Sequence, residues 1–505
     1  MSVDLRPGSL PVSLTLSLVA TACGLTVAQG ADASVVVTGV THDSRAIRPG
    51  DLFAALPGER AHGAEFVAQA VAAGAVAVLT DASVVDHGHV AGLPALVADD
   101  PRQALGSVAA EIYGHPAADL LLIGVTGTNG KSTTVHLLEA GLRAGGHRTA
   151  IIGTTGIRIG DRAIPNERTT PEAPDLHALL AVMREEGVTA VAMEVSSHAL
   201  VLGRVNGLVY DVAIFTQLSQ DHLDFHGTME DYFAAKASLF TPGRARQAVI
   251  GVDGMWGRRL ADTVEIPAVT YALDHDADVR CEALVEGPHG QTLDVVEGEG
   301  ARDVVEVGLP GRFNAANALG AWTALRIADV DPAALTRAFA HVTVPGRMER
   351  IDEGQSFIAI VDYAHSPDAV ARVIAAMVPE AGGRRLVVLG CGGDRDRDKR
   401  HLMGEVAAAG ADVLIVTDDN PRSEDPATIR SAMLEGARAV GGDVREMGDR
   451  REAIAAAVAE AGPGDVLLVL GKGHEPGQEI AGTVHPFDDR DEVRRALRGG
   501  SGSAS

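Results

Sequence analysis

The segment Thr126-Gly127-Thr128-Asn129-Gly130-Lys131-Ser132-Thr133 carries the clearest chemistry in the chain. Its glycines let backbone N–H groups turn inward around phosphate oxygens, and a helix starting behind them adds the positive end of its dipole. Lys131 supplies a mobile positive charge for the outer phosphates of a nucleotide, and a hydroxyl such as that of Ser132 ligates Mg²⁺. The spacing departs from the common G-x-x-x-x-G-K-[ST], because Val125 stands where the first glycine belongs. Glu194 closes an apolar run in Met193-Glu194-Val195-Ser196-Ser197-His198, where a carboxylate can hold the metal of a bound nucleotide. Asp221-His222-Leu223-Asp224-Phe225-His226-Gly227 sets His222 and His226 at helical i, i+4 spacing. Zinc is the competing metal for that pair, but no H-E-x-x-H pattern or cysteine partner accompanies it. Lys236, within Tyr232-Phe233-Ala234-Ala235-Lys236, reads by itself as a lysine on a helix surface.

These residues need strands and helices to hold them. Residues 120–125, 150–152, 188–193, 212–215 and 248–250 are short apolar runs separated by amphipathic stretches such as 175–186, the pattern of an open, largely parallel α/β sheet. From about 269 to 307 the pattern turns to alternating, Gly-punctuated segments with a hairpin about Gly287-Pro288-His289-Gly290, which predicts an antiparallel insert. Further apolar runs at 358–361, 386–389, 413–416 and 466–470 each end in polar or Gly-rich loops. Ligands of such sheets bind beyond the carboxyl ends of the strands. Gly390-Cys391-Gly392-Gly393-Asp394-Arg395-Asp396, Asp419-Asn420-Pro421-Arg422 and Gly471-Lys472-Gly473-His474-Glu475 are therefore expected to converge. Two guanidinium forks and a carboxylate suit a zwitterion, Arg395 and Arg422 gripping a carboxylate and Glu475 an ammonium.

The first 117 residues show strands near 52–56, 75–79 and 94–97 with Ala-rich helices near 65–73 and 102–113. Four stretches follow: 1–117, 118–344, 345–498 and a tail, 499–505, expected to be disordered. The whole is an α/β protein of three domains, central P-loop ATPase-type with the antiparallel insert, and C-terminal Rossmann-like. Lys and Arg number 43 against 68 Asp and Glu among 505 residues, a net charge of −25 that argues against nucleic acid or an anionic membrane as main partner. Aromatic content of 3% is too low for a single-strand stacking platform. Cys23, Cys281 and Cys391 are scattered and odd in number, as in a reducing compartment. The apolar stretch 9–23 has a signal-like ending, but its leader is not basic and Pro11, Ser13, Thr15 and Ser17 interrupt it, so a cytoplasmic protein is expected.

The shortened G-T-N-G-K-S loop resembles that of the Mur ligases, ATP-dependent enzymes that add amino acids in peptidoglycan synthesis, and their motifs recur in order up to the tail. The resemblance implies ATP and Mg²⁺ as cofactors, with Glu194 and His222 as metal ligands beside Ser132. Y-x-x-A-K-x-x-L-F implies that Lys236 is carbamylated and that its carbamate positions the metal. Gly311-Arg312-Phe313-Asn314-Ala315-Ala316-Asn317, Pro345-Gly346-Arg347 and Val361-Asp362-Tyr363-Ala364-His365 complete the nucleotide side, Asn317 meeting adenine, Arg347 the γ-phosphate and Asp362 the ribose. Some 125 residues before the phosphate loop leave room for a domain that grips a UDP-sugar, unlike the related folylpolyglutamate ligases.

Thr41-His42-Asp43-Ser44-Arg45 with Asp51-Leu52-Phe53 is similar to the UDP-binding part of the enzymes that add the third and the terminal residues of the peptide, and Thr169-Thr170-Pro171-Glu172, Met193 to His198 and Val361 to Asp368 are similar to the third-residue enzymes. On that match His42, Ser44, Glu59, Arg60 and Ala61 meet the UDP-sugar, and Thr169, Thr170, Ser196 and Arg204 the sugar or peptide. Arg168 stands where members often carry Asn. The D-N-P-R loop implies 2,6-diaminopimelate rather than lysine as the added residue, with Arg395, Asp419, Asn420, Pro421, Arg422, Gly471 and Glu475 around it. The implied reaction joins it to the D-Glu γ-carboxylate of UDP-N-acetylmuramoyl-L-alanyl-D-glutamate through an acyl phosphate. A regulatory ATPase and a ligase for folate or lysine are the alternatives; a guanine switch would carry N-K-x-D, and no Asn here precedes Lys. Small-molecule partners only, and a monomer, are expected.

Overall fold

The computed structural model describes residues 6–8, 14–58, 61–166, 168–298, 300–394 and 396–500. Glu59, Arg60, Arg395 and most of the tail therefore lie outside the described residues. The chain divides into two compact units, residues 1–279 with 320–334, and residues 280–319 with 335–505.

The first unit holds two larger sheets beside the short antiparallel pair Leu14–Thr15 and Val36–Val37. In the N-terminal one the strands run in the order Thr26–Val27, Ala95–Val97, Ala77–Thr80, Asp51–Ala54, Gly39–Thr41, parallel except at the first pair. The helix Leu16–Cys23 covers it, burying Leu16, Val19 and Ala20 with Leu105 and Val108 of the helix Pro101–Ile112. The signal-like stretch is thus apolar because part of it is a core helix, with Leu16, Val19 and Ala20 at i, i+3, i+4.

In the second sheet the order is Arg162–Ile164, Gly156–Ile159, Thr149–Gly153, Ala190–Glu194, Leu121–Thr126, Tyr210–Phe215, Ala245–Gly251, Ala268–Ala272. The strands from Thr149–Gly153 onward are parallel, and the first two pairs are antiparallel. Leu121–Thr126 lies inside, its last five residues buried, as an unbroken apolar run requires. The sequence pattern assigned residues from 269 onward to the antiparallel insert. That boundary is corrected, because Ala268–Ala272 pairs parallel to Ala245–Gly251 and ends buried in Tyr271 and Ala272.

In the second unit Val279–Gly287, Gly290–Glu297 and Ala301–Val307 are successive neighbours, the last two antiparallel, with the expected turn at 288–289. The C-terminal sheet has the order Glu349–Ile351, Ile358–Asp362, Val466–Leu470, Arg385–Leu389, Val413–Val416, Asp443–Glu446. Only the first pair is antiparallel. Val466–Leu470 inserts between two strands that precede it in the chain, so the loops after residues 362, 389, 416 and 470 share one edge. A hairpin, Gly477–Ile480 with Thr483–Pro486, follows. Apolar clusters fill both faces of this sheet.

Candidate functional site

The phosphate loop joins the buried strand Leu121–Thr126 to the helix Lys131–Ala144. Gly127 has φ 150° and Gly130, capping the helix, φ 89°, conformations that L side chains rarely adopt. Thr128 fastens the loop: its N–H donates to Gln217 O at 2.8 Å and its hydroxyl to Ser219 O at 3.1 Å. The Thr216 hydroxyl donates to Asn129 O at 2.7 Å. Two ammonium groups meet on one carbonyl, for Lys131 Nζ is 2.9 Å and Lys236 Nζ 2.8 Å from Gly127 O.

Lys236 is buried, not on a helix surface, and that expectation is corrected. The helix Met229–Ala237 turns Tyr232 and Lys236, one turn apart, toward the interior, with Nζ 4.7 Å from the Tyr232 ring centre. Burial, and next the Lys131 charge, push the Lys236 ammonium well below its ordinary range, against the pull of Asp221. Burial thus works in favour of the neutral amine and against the ammonium.

Behind the loop the Ser132 hydroxyl donates to Glu194 Oε1 at 2.8 Å, both residues buried. Thr154 completes the acceptance of Glu194, its N–H on Oε1 at 2.9 Å and its hydroxyl on Oε2 at 3.1 Å. Thr154 is a residue that sequence reasoning missed; it follows directly on the strand Thr149–Gly153, the kind of position that could have flagged it. Thr169 reaches the same group through the Thr154 hydroxyl at 3.1 Å. Thr170 donates to Glu194 O at 2.9 Å and accepts from Ser196 N at 3.2 Å. His222, in a left-handed conformation at φ 52°, sits edge-on to His198 and Tyr232. Burial first and the neighbouring lysines next lower His222, while Asp221 raises it. Burial and two neighbouring histidines lower His198 to about 4.

A serine hydroxyl and a carboxylate are hard oxygen donors that suit Mg²⁺, which takes one or two protein oxygens and fills its octahedron with phosphate and water. Among the described residues no three His, Cys, Asp or Glu form a ready-made metal cage.

A cavity of about 1190 Å³ in the first unit is lined by His42, Ser44, Ala61, Arg168, Glu172 and Asp175, among others. His42 Nδ1 is buried without a hydrogen-bond partner. Glu172 meets three guanidinium groups, Arg204 at 2.9 Å and Arg102 and Arg168 at 3.7 Å each. Burial raises the Asp175 carboxyl.

In the second unit Asn317 Nδ2 donates to Asn314 Oδ1 at 3.2 Å, both on the helix Arg312–Ile327. Arg347 lies over the Tyr363 ring, Cζ 4.3 Å from its centre, with a buried Nε that has no hydrogen-bond partner. Asp362 accepts Met348 N–H at 2.6 Å and Ala364 N–H at 2.8 Å, so it also fixes the Arg347 segment; burial raises its carboxyl. Gly346 has φ 60°, and a Cβ there would overlap the backbone of Gly473 and His474.

The loops beyond the C-terminal sheet converge as expected. Arg422 has φ 52°; its N–H donates to Glu479 O at 2.9 Å and its O accepts from Ala481 N at 2.7 Å, so the hairpin holds its backbone. Its Nη1 donates to Gly393 O at 2.6 Å, and Nε lies 3.4 Å from Glu479. Asn420 donates to Glu475 Oε2 at 2.8 Å. Asp419 and Glu475 both face Lys472, which sequence reading quoted within its loop but gave no role. The signal was available: a lone charge between two glycines at the end of an all-apolar strand. Cys391 is buried against Met403, a packing thiol whose acidity burial pushes to about 12.

Comparison with known proteins covers nearly the whole chain. Residues 36–113 match the model of the Mur ligase family catalytic domain, 125–325 that of the Mur ligase middle domain, and 346–473 that of the Mur ligase glutamate ligase domain. The UDP-N-acetylmuramoyl-L-alanyl-D-glutamate–2,6-diaminopimelate ligase of Streptomyces coelicolor is 56% identical over 474 residues, 92% of this chain and 94% of that one. The protein of the same name from Corynebacterium efficiens is 49% identical, over 96% of this chain and 95% of its own. A solved structure of a ligase so named superposes with a TM-score of 0.71 at 34% identity, covering 97% of this chain and all of that one.

Proposed function

The chain belongs to the Mur ligase family, and on that premise we propose that it joins 2,6-diaminopimelate to the D-Glu γ-carboxylate of UDP-N-acetylmuramoyl-L-alanyl-D-glutamate with cleavage of ATP. The observation that carries the proposal is a match to ligases of that name that runs through both the phosphate loop and the Arg422–Glu475 loops.

A carboxylate does not condense with an amine in neutral water, because hydroxide leaves poorly. Phosphorylation supplies a leaving group: the γ-carboxylate attacks the γ-phosphate and displaces ADP, the amine attacks the acyl carbonyl and gives up a proton, and inorganic phosphate departs. The N–H groups of residues 127–133, with Lys131, hold the phosphates, and Arg347, whose buried Nε lacks a partner, is assigned to the γ-phosphate. Ser132, Glu194 and His222 would hold Mg²⁺, assisted by Lys236 as its carbamate, and the ion would supply charge neutralisation during phosphoryl transfer. Asn317 and Asp362 serve adenine and ribose. His42, Ser44, Ala61, Thr169, Thr170, Ser196 and Arg204 receive the UDP-sugar dipeptide, Glu172 offsetting part of the positive charge of the arginine cluster until it arrives. Arg422 takes the far carboxylate of diaminopimelate and Glu475 an ammonium. Glu59, Arg60 and Arg395 join these sets from outside the described residues.

The reaction belongs to cytoplasmic peptidoglycan precursor synthesis, and so to cell shape and division, with the chain acting as a monomer. Among the described residues no helix is long and apolar enough to cross a membrane. Phosphate release from ATP, measured with the UDP-dipeptide and candidate amino acids one at a time, tests the proposal. Diaminopimelate is expected to drive it, and Lys131→Ala to abolish it by orders of magnitude. Equal release with and without any amino acid would make the chain a regulatory ATPase instead.

A further inference from the structure

Lys472 is fully buried in the loop that leaves the strand Val466–Leu470, between Gly471 at φ 115° and Gly473 at φ 56°. A buried ammonium persists only where carboxylates and acceptors compensate it. Here Nζ lies 3.0 Å from Asn420 Oδ1, 3.3 Å from Glu475 Oε2 and 3.7 Å from Asp419 Oδ1. Asn420 closes the ring, for its Nδ2 donates to that same Glu475 oxygen, while its Oδ1 also accepts Glu479 N–H at 3.0 Å. Its amide has one workable orientation, since turning it over would set NH₂ against an ammonium and a backbone N–H. Asp419 is held in turn: Gln478 Nε2 donates to its carbonyl at 2.8 Å, and a Cβ on Gly471 would stand 2.6 Å from its Oδ2.

One cation and two carboxylates leave the cluster a net charge of −1, which suits an incoming ammonium. Without the cation the two carboxylates repel each other, and Glu475, about one-third exposed, is held against that repulsion by neutral donors alone, Asn420 Nδ2 among them. We propose that Lys472 is the positioning residue of the amino-acid subsite, its buried ammonium setting Glu475 and Asn420 in the arrangement that receives the ammonium of a diamino acid. The inference rests on the function proposed above and adds a residue that shapes selectivity without meeting the substrate.

Steady-state phosphate release from the full chain tests it, with each of the three substrates varied in turn. Lys472→Met keeps an unbranched side chain, one atom shorter, and removes the charge. It is expected to raise KM for diaminopimelate by about 10- to 150-fold, the loss of a hydrogen bond to a charged group, and KM for ATP and the UDP-dipeptide by less than about twofold. Because Lys472 acts through Glu475, Lys472→Met added to Glu475→Gln should cost little more than Glu475→Gln alone. A lysine that only supports the fold would lower the melting temperature, depress kcat, move all three KM values together and give additive penalties; that pattern overturns the inference. If Lys472→Met does not fold, Asn420→Ala must show the same selective rise for diaminopimelate, and a wild-type KM there overturns the inference equally. A wild-type chain whose phosphate release ignores diaminopimelate overturns the functional proposal and this inference with it.

Discussion

Truncating Arg422 to alanine separates recognition of the amino acid from everything else in the protein. Both residues carry a Cβ, so the left-handed backbone at φ 52° is equally strained before and after. The backbone bonds to Glu479 and Ala481 do not involve the side chain and remain. The free protein loses only the bond to Gly393 O and a partly exposed pairing with Glu479, together about 1–2 kcal/mol of stability. On the proposed function the complex loses more, since the far carboxylate of diaminopimelate would be left without its guanidinium. Removing one partner of a buried charge pair costs about 2–5 kcal/mol, or roughly thirty- to several-thousand-fold in kcat/KM. The assay supplies diaminopimelate and lysine together and identifies the tripeptide product by mass, for wild type and Arg422→Ala, with KM for ATP measured alongside. Wild type should give the diaminopimelate product, and the variant should lose most of that preference with KM for ATP much less affected. Lysine predominating in the wild-type product, or an equal fall for both amino acids in the variant, would refute the role of Arg422.

Lys236→Ala is expected to be nearly inactive, with partial recovery when a short carboxylic acid is added to the assay; wild-type activity would remove the lysine from the mechanism. His177 provides a pH test of stability. It is fully buried, accepts no carboxylate partner, and burial lowers it from an ordinary 6.5 to about 4. The unfolded chain then binds more protons than the folded one between those values, so stability falls as pH drops from 6.5 towards 4, by up to about 3 kcal/mol, and is unaffected above 6.5. Urea melts should show His177→Gln flattening that slope, and an unchanged slope would rule the histidine out as its source.

What the sequence made legible was local. The phosphate loop is a strand, two glycines and a helix in succession, and each of these is written in neighbouring residues. Lys472 and Lys236 were not legible as buried, because burial is decided by segments far away in the chain. A lysine one turn from Tyr232 on a helix is indistinguishable from a surface lysine until Gly127, more than a hundred residues earlier, comes to meet it. The strand Ala268–Ala272 was misassigned for a similar reason: its parallel partner, Ala245–Gly251, is not its hairpin neighbour, and alternation alone does not give strand direction. The Arg422, Asn420 and Glu475 set was legible because sheet topology carries strand ends to one edge, a rule that holds without knowing which loops touch.

The close approach of Gly346 to Gly473 and His474 has a practical bearing on protein engineering. Residues 346–349 are tied to the C-terminal sheet by that backbone contact, by Met348 on Asp362, and by Glu349, which accepts from Gly346 N at 2.7 Å and pairs with Arg494 at 3.2 Å. Anyone building a chimera, with the amino-acid half of one ligase grafted onto the nucleotide half of another, must cut before Val344. A junction placed after Glu349 would marry a foreign Pro-Gly-Arg segment to a loop shaped for this one. The hybrid would inherit its new selectivity with Arg347, the arginine proposed for the γ-phosphate, out of place.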